Sequence, residues 1–199
     1  MMNRVWLDAN CIWLSEIDRP VNRDVVLHFD SVRDHERPNS LYVDRTNIKD
    51  NIYNDICIII AHYSINRVCI SECTINDVHH LMRIVANNRS LHGLFISRCN
   101  DFDDDDIVCI SNSLLCCNHL TSIRLDYIKI TIDGFRHIMN TMTTNTTMKD
   151  LIINSGYLYQ HTMTDVIIET IPHIKSVRHL NLSGRYTGRT NELCSALEK

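Results

Sequence analysis

The stretch Leu91-His92-Gly93-Leu94-Phe95-Ile96-Ser97-Arg98-Cys99 carries apolar residues at its first, fourth and sixth places and a small residue at its ninth. The same spacing returns at Ile65, Val68, Ile70 and Cys73, at Leu120, Ile123, Leu125 and Ile128, and at Met148, Leu151, Ile153 and Gly156. Shorter copies lie at Leu41, Val43 and Thr46 and at Val177, Leu180 and Leu182. The fourth-place residues are 41, 68, 94, 123, 151 and 180, a step of 26 to 29 residues. So regular a recurrence is the signature of a stacked-repeat architecture.

Strand side chains alternate between two faces, so places four and six point to one side and the residue between them to the other. After each strand comes a further apolar anchor, Ile48, Ile75, Ile130 or Leu158. Helical spacing follows, as in Val78, Leu81, Met82 and Val85 or Phe135, Ile138, Met139 and Met142. Each unit therefore reads as strand, turn, helix. No unit can bury its apolar face alone, so the units must stack and share a core. The expectation is an α/β solenoid, a horseshoe arc with a parallel β-sheet on the concave side and helices on the convex side.

At these residues the chain resembles the leucine-rich-repeat family, and within it the ribonuclease-inhibitor-like subclass with repeats of about 28 residues. The junctions Asn88-Arg89-Ser90-Leu91-His92-Gly93-Leu94 and Asn145-Thr146-Thr147-Met148-Lys149-Asp150-Leu151 carry the subclass resemblance, being similar to the Asn-x-x-Leu-x-x-Leu junction found there and in NOD-like receptor sensors. It covers residues 38–199, as about six repeats. The ninth place departs from the family's usual Asn, holding Thr46, Cys73, Cys99, Ile128, Gly156 and Arg185. Cysteine is an accepted variant there, whereas Ile128 and Arg185 predict irregular turns. Residues 1–37 fit less well. Met2, Val5, Leu7 and Asn10 echo the strand pattern and residues 25–29 read as another strand, so this region is expected to be a degenerate N-terminal capping unit, with Trp6 and Trp13 covering the core.

The bulk composition narrows the function classes. A chain of 199 residues with 44% hydrophobic and 22% charged residues suits one folded domain. The formal net charge of −4 argues against nucleic acid, which calls for a basic face. No apolar run approaches the roughly 20 residues of a membrane helix, and charge interrupts the N-terminus before a signal core could form. The nine cysteines are odd in number and mostly sit in apolar stretches, which reads as reduced thiols and a cytoplasmic location. Ile (26) and Asn (19) far outnumber Ala (4), pointing to an AT-rich genome such as that of a large DNA virus or a protist.

Candidate chemistry is sparse. Asp101, Asp103 and Asp105 match alternate calcium-loop places, but Asp106 stands where the loop needs Gly and Asn112 where it needs Glu. The favoured reading is that these acids open a helix, where its dipole favours negative charge. Cys116, Cys117 and His119, or Cys73 with His79 and His80, lack paired zinc-ligand spacing. No phosphate loop or nucleophile elbow is present. Neither enzyme activity, cofactor nor metal is expected.

The residues facing away from the core nominate a site instead. Across repeats the middle row is Tyr42, Cys69, Phe95, Arg124, Ile152 and Asn181. The rows beside it are Asp44, Ser71, Ser97, Asp126, Asn154 and Ser183, and Ser40, Arg67, Gly93, Ser122, Asp150 and His179. Large apolar groups on one row beside an arginine suggest a partner-binding surface. The function expected is therefore a protein-protein interaction module, a monomer or a subunit of a hetero-complex, whose partner in the viral case would be a host defence or ubiquitin-pathway factor. No helical adaptor segment is expected before the repeats. The alternative is a structural subunit of a virion or organellar complex.

Overall fold

The computed structural model describes residues 4–8, 11–16, 38–99, 101–154 and 160–183. The strand expected at residues 25–29 and the places of Met2, Asn10, Gly156, Leu158 and Arg185 lie outside the described residues. The chain runs β1 (Arg4–Asp8), β2 (Cys11–Ser15), β3 (Ser40–Asp44), β4 (Asn47–Ile48), α1 (Asp50–Tyr63), β5 (Arg67–Ser71), β6 (Thr74–Ile75) and α2 (Val78–Asn87). It continues through β7 (Gly93–Ser97), α3 (Asp104–Cys116), β8 (Ser122–Asp126), α4 (Ile132–Thr144), β9 (Asp150–Asn154), α5 (Gln160–Thr170), a 3-10 turn (Ile171–His173) and β10 (His179–Ser183).

Eight strands form one open sheet in the order β1-β2-β3-β5-β7-β8-β9-β10. Among the described strands only β1 is antiparallel, paired with β2; from β2 to β10 every pairing is parallel. The register follows the repeat. Leu41, Val68, Leu94, Ile123, Leu151 and Leu180 are successive cross-strand partners, as are Val43, Ile70, Ile96, Leu125, Ile153 and Leu182. Ile12 and Leu14 extend both rows by one strand, at a step of 29 residues before Leu41.

The helices cover one face. Each presents residues at three- and four-residue spacing, such as Ile52, Tyr53, Ile56, Ile59 and Ile60 of α1, to a single core shared with the two inward strand rows. Helix starts are set locally. Asp77 accepts from the His80 amide, and Thr131 accepts from the amides of Asp133 and Gly134. Asp103 and Asp106 form a reciprocal capping box at α3. Asp104 reaches the next repeat, accepting a 2.6 Å hydrogen bond from the Thr131 hydroxyl. The aspartate run thus opens one helix and steadies the start of the next.

Sheet edges carry two main-chain ladders. One residue beyond each of five strands, Glu16, Arg45, Glu72, Arg98 and Tyr127 have φ between 46° and 53°. Their amides donate to the carbonyls of Asp44, Ser71, Ser97, Asp126 and Asn154 on the next strand. Tyr127 shares this geometry with the other four, and Ile128 after it is fully buried. The irregular turn expected at Ile128 is therefore absent, because the ninth place there fills core space while the chain reversal is made by the backbone. At the opposite edge the carbonyls of Asn39, Asn66, His92, Thr121 and Lys149 each accept two amides from the following repeat.

Buried ninth-place thiols join these turns. Cys73 Sγ accepts from the Thr46 amide and donates toward the Ser71 carbonyl at 3.2 Å. Burial pushes the Cys73 thiol up to about 12 and that of Cys99 to about 11.

Candidate functional site: the open sheet face

Because the core takes places four and six, the residues between them stand on the face that the helices leave uncovered. Trp13, Tyr42, Cys69, Phe95, Arg124, Ile152 and Asn181 form one cross-strand row. The Trp13 and Tyr42 rings stack with centroids 4.2 Å apart and planes 14° from parallel. Burial is the main reason the Tyr42 phenol titrates above its ordinary range, and the same cause raises the neighbouring Cys69 thiol to about 11. Arg67, one row across, lays its guanidinium over the Phe95 ring at 5.2 Å. Gly93 lies beneath this arginine: a Cβ there would sit 3.5 Å from Arg67 Cγ, an ordinary contact distance.

The middle row and the row that holds Asp44 and Asp126 together line a hollow of about 520 Å³. Trp13, Tyr42, Cys69 and Phe95 line one side, Asp44, Ser71, Ser97 and Asp126 the other, and Arg124 closes the end. Small serines beside bulky aromatics make the depth. A second, polar hollow of about 300 Å³ lies at the other strand edge, among Asn66, Arg67, His92, Gly93, Thr121, Ser122 and Asp150.

Of the residues expected at a binding surface, Tyr42, Asp44, Cys69, Phe95, Arg124 and Asp126 converge on the larger hollow, and Arg67 borders the smaller one. Ile152, Asn154, His179 and Asn181 are in register on the same face but lie on β9 and β10, outside the larger hollow. His179 Nδ1 is 3.1 Å from Asp150. Trp13, expected to cover the core, stands instead on the outward row and joins the site. Its signal was present in the sequence, since Ile12 and Leu14 flank it as Leu41 and Val43 flank Tyr42.

The two acids differ in setting. Asp44 is half-buried and accepts from Arg45 Nε at 2.8 Å. Asp126 is only 6% exposed, and its Oδ2 accepts from Arg124 Nε, two residues along the same strand. Its Oδ1 is buried with no hydrogen-bond partner among the described residues. Beyond the strands the turn residues alternate in charge: Arg45 faces Glu16 at 3.9 Å, Arg98 pairs with Glu72 at 3.1 Å, and Arg98 lies 5.6 Å over the Tyr127 ring. No cluster of three or more metal-ligating side chains occurs among the described residues.

Neither a protein-family profile nor a curated protein matches this sequence. Solved structures do match. The leiomodin-1 domain termed actin-binding site 2 superposes with a TM-score of 0.63 at 16% identity, over 75% of this chain and 90% of that one. The tropomodulin C-terminal domain of Caenorhabditis elegans superposes with a TM-score of 0.56 at 10% identity, over 72% of this chain and 90% of that one.

The likeness is one of fold.

It supports a leucine-rich-repeat-like α/β fold and overturns the ribonuclease-inhibitor-like subclass, since the matching structures are leiomodin and tropomodulin domains. The junction asparagines that suggested the subclass have a local explanation. Asn145 Nδ2 donates to the Leu114 carbonyl at 2.6 Å, while its Oδ1 accepts from the Thr147 and Met148 amides at 2.9 and 2.7 Å. Asn88 Nδ2 likewise donates to the Ile84 carbonyl. These bonds serve the helix-to-strand passage itself, where helix carbonyls need donors. The spacing therefore marks the passage and does not single out the subclass.

Among the described residues no helix is long and apolar enough to cross a membrane.

Proposed function

We propose that this chain is a non-catalytic protein-binding module that engages its partner across the open sheet face. The observation that carries the reading is the hollow of about 520 Å³ lined by Trp13, Tyr42, Cys69 and Phe95. Aromatic groups on an unpartnered face, with arginines beside them, have the make-up of a binding hot spot. In this reading the repeats curve into a horseshoe solenoid, the hollow lies on its concave side, and residues 1–37 cap one end of the stack of about six repeats at 38–199. The site extends along the row through Ile152, Asn154, His179 and Asn181. The protein works in the cytoplasm, without a cofactor, as a monomer or as one subunit of a hetero-complex.

The leiomodin-1 domain with the related fold is described as an actin-binding site, which makes actin the first named protein to test. The Ile- and Asn-rich, Ala-poor composition agrees with an AT-rich genome such as that of a large DNA virus or a protist, and a viral origin would make a host defence or ubiquitin-pathway protein the next. A structural-subunit reading has one observation in its favour: Ile58 and Leu115 on the helices are 47% and 53% exposed, so the helix side also offers apolar groups.

The test compares the wild-type protein with a folded Tyr42→Ala, Phe95→Ala, Arg124→Ala triple variant, in co-sedimentation with actin filaments and in capture from cell lysate. A partner held by the wild type and lost by the triple variant supports the module. Partners held equally by both place the binding surface elsewhere and favour the assembly subunit.

A further inference from the structure

We propose that the larger hollow takes a positively charged, hydrogen-bond-donating side chain carried next to an aromatic or aliphatic group, with Asp126 as its acceptor. This rests on the open face being the partner-binding surface and adds the chemistry of what it binds. Asp126 is more than nine-tenths buried in the wall of the hollow, and among the described residues only one of its oxygens has a partner, Arg124. A carboxylate accepts through two oxygens and about four lone pairs, so Asp126 is under-satisfied in the free protein.

Arg124 is a tether that can leave. Its side chain is 48% exposed and holds the carboxylate through Nε alone. A guanidinium or ammonium entering the hollow beside Phe95 displaces it and gives Oδ1 the donor it lacks. The aromatic lining is a second reason for a cation: the Phe95 ring already takes the Arg67 guanidinium over it, and Tyr42 and Trp13 line the same hollow. Charge points the same way. The outward rows carry Asp44, Asp126 and Asp150 against Arg67 and Arg124, and the whole chain is at −4. Its summed field draws a basic partner in and repels an acidic one. The apolar half of the ligand is set by the stacked Trp13–Tyr42 pair, which offers a flat surface for a ring or a short alkyl chain.

The probes are phenylethylguanidine, its anionic counterpart 3-phenylpropionate, and neutral 2-phenylethanol, titrated into the full chain and followed by backbone amide shifts in NMR spectra. The expected result is that phenylethylguanidine shifts the amides around Phe95 and Asp126 and binds about tenfold tighter than either other probe, the gain of one charge-assisted hydrogen bond. In Asp126→Asn that preference falls to about twofold or less, since the amide keeps the shape and loses the charge. Arg124→Gln guards against a misfolded Asp126 variant. It removes the competing guanidinium and is expected to tighten the cationic probe about threefold, or a few tenths of a decade.

Equal or tighter binding of 3-phenylpropionate overturns the proposal, as does a cation preference that survives Asp126→Asn, or no probe shifting the hollow's amides. The triple-variant capture fails or succeeds separately. Partners retained by that variant would refute the face as the partner site even with the cation preference intact.

Discussion

The Tyr53 hydroxyl donates to the Asp77 carbonyl at 2.7 Å and accepts from the Asp77 amide at 2.9 Å, across 24 residues of sequence. The fully buried ring lies in α1, and Asp77 is the residue that caps α2. One phenol therefore fastens a helix to the entry of the next repeat's helix. Burial pushes its titration up to about 12, and its ring stacks on His80 with centroids 4.6 Å apart. Tyr53→Phe keeps the ring and strips both hydrogen bonds. The loss expected is about 1–3 kcal/mol, the range for leaving buried main-chain groups unpaired. Urea unfolding reads it as a lower midpoint at unchanged slope; an unchanged midpoint would mean that water replaces the hydroxyl at no cost.

Asn145 does for the α4–β9 passage what Tyr53 does for α1–α2. It is buried and satisfies three main-chain groups at once, the Leu114 carbonyl and the amides of Thr147 and Met148. Asn145→Ala is expected to cost about 3 kcal/mol, more than Tyr53→Phe, because it leaves three main-chain groups without their partner rather than two. Asn145→Asp separates the two roles. It keeps the acceptor toward Thr147 and Met148, puts an acceptor against the Leu114 carbonyl, and should be nearly as damaging. If the aspartate variant is as stable as the wild type, the bond to Leu114 carries no weight.

Much of the fold was legible because it obeys a period. Leu94 and Ile96 are identifiable as inward residues from spacing alone, and their partners in β5 and β8 follow from the step. Strand β2 was harder to see. Its two inward residues, Ile12 and Leu14, come 29 residues before Leu41, but the uneven pattern of the intervening segment hid the repeat. The turns left no trace, since Glu72 or Arg98 in a left-handed conformation lacks the Gly or Asn that advertises one. At the site, alternation showed which side Asp126 faces. Its burial under Arg124 depends on side-chain reach along a single strand, which no spacing rule encodes.

The left-handed turns permit a test with an inverted sign. Glu72 has φ 52° and makes one exposed ion pair, to Arg98. Glu72→Gly and Glu72→Ala both delete that pair, so their difference isolates the backbone. At an ordinary position Gly is the less stable of the two. Here Ala pays the left-handed penalty and Gly does not, so the glycine variant should be more stable by about 1 kcal/mol. Thermal or urea unfolding of the two proteins measures this directly. An alanine variant at least as stable as the glycine variant would show that the turn relaxes out of the left-handed region.

The buried thiols predict how the fold responds to alkali. Cys73 and Cys99 are raised from an ordinary 9.0 to about 12 and about 11, and Tyr53 from 10.0 to about 12, each mainly by burial. From pH 9 upward the unfolded chain loses these thiol protons while the native state keeps them. The native state then binds more protons than the unfolded one, and stability falls as pH rises. The contribution is whole below pH 9 and disappears through the native values near 11 and 12. Each thiol adds a slope of about 1 kcal/mol per pH unit over that window, and Tyr53 joins above pH 10. Cys99→Ala, though less stable at neutral pH, should lose stability less steeply between pH 9 and 11, by the slope of one group. Parallel curves for the variant and the wild type would mean that the Cys99 thiol ionises as readily in the folded protein as in the unfolded chain.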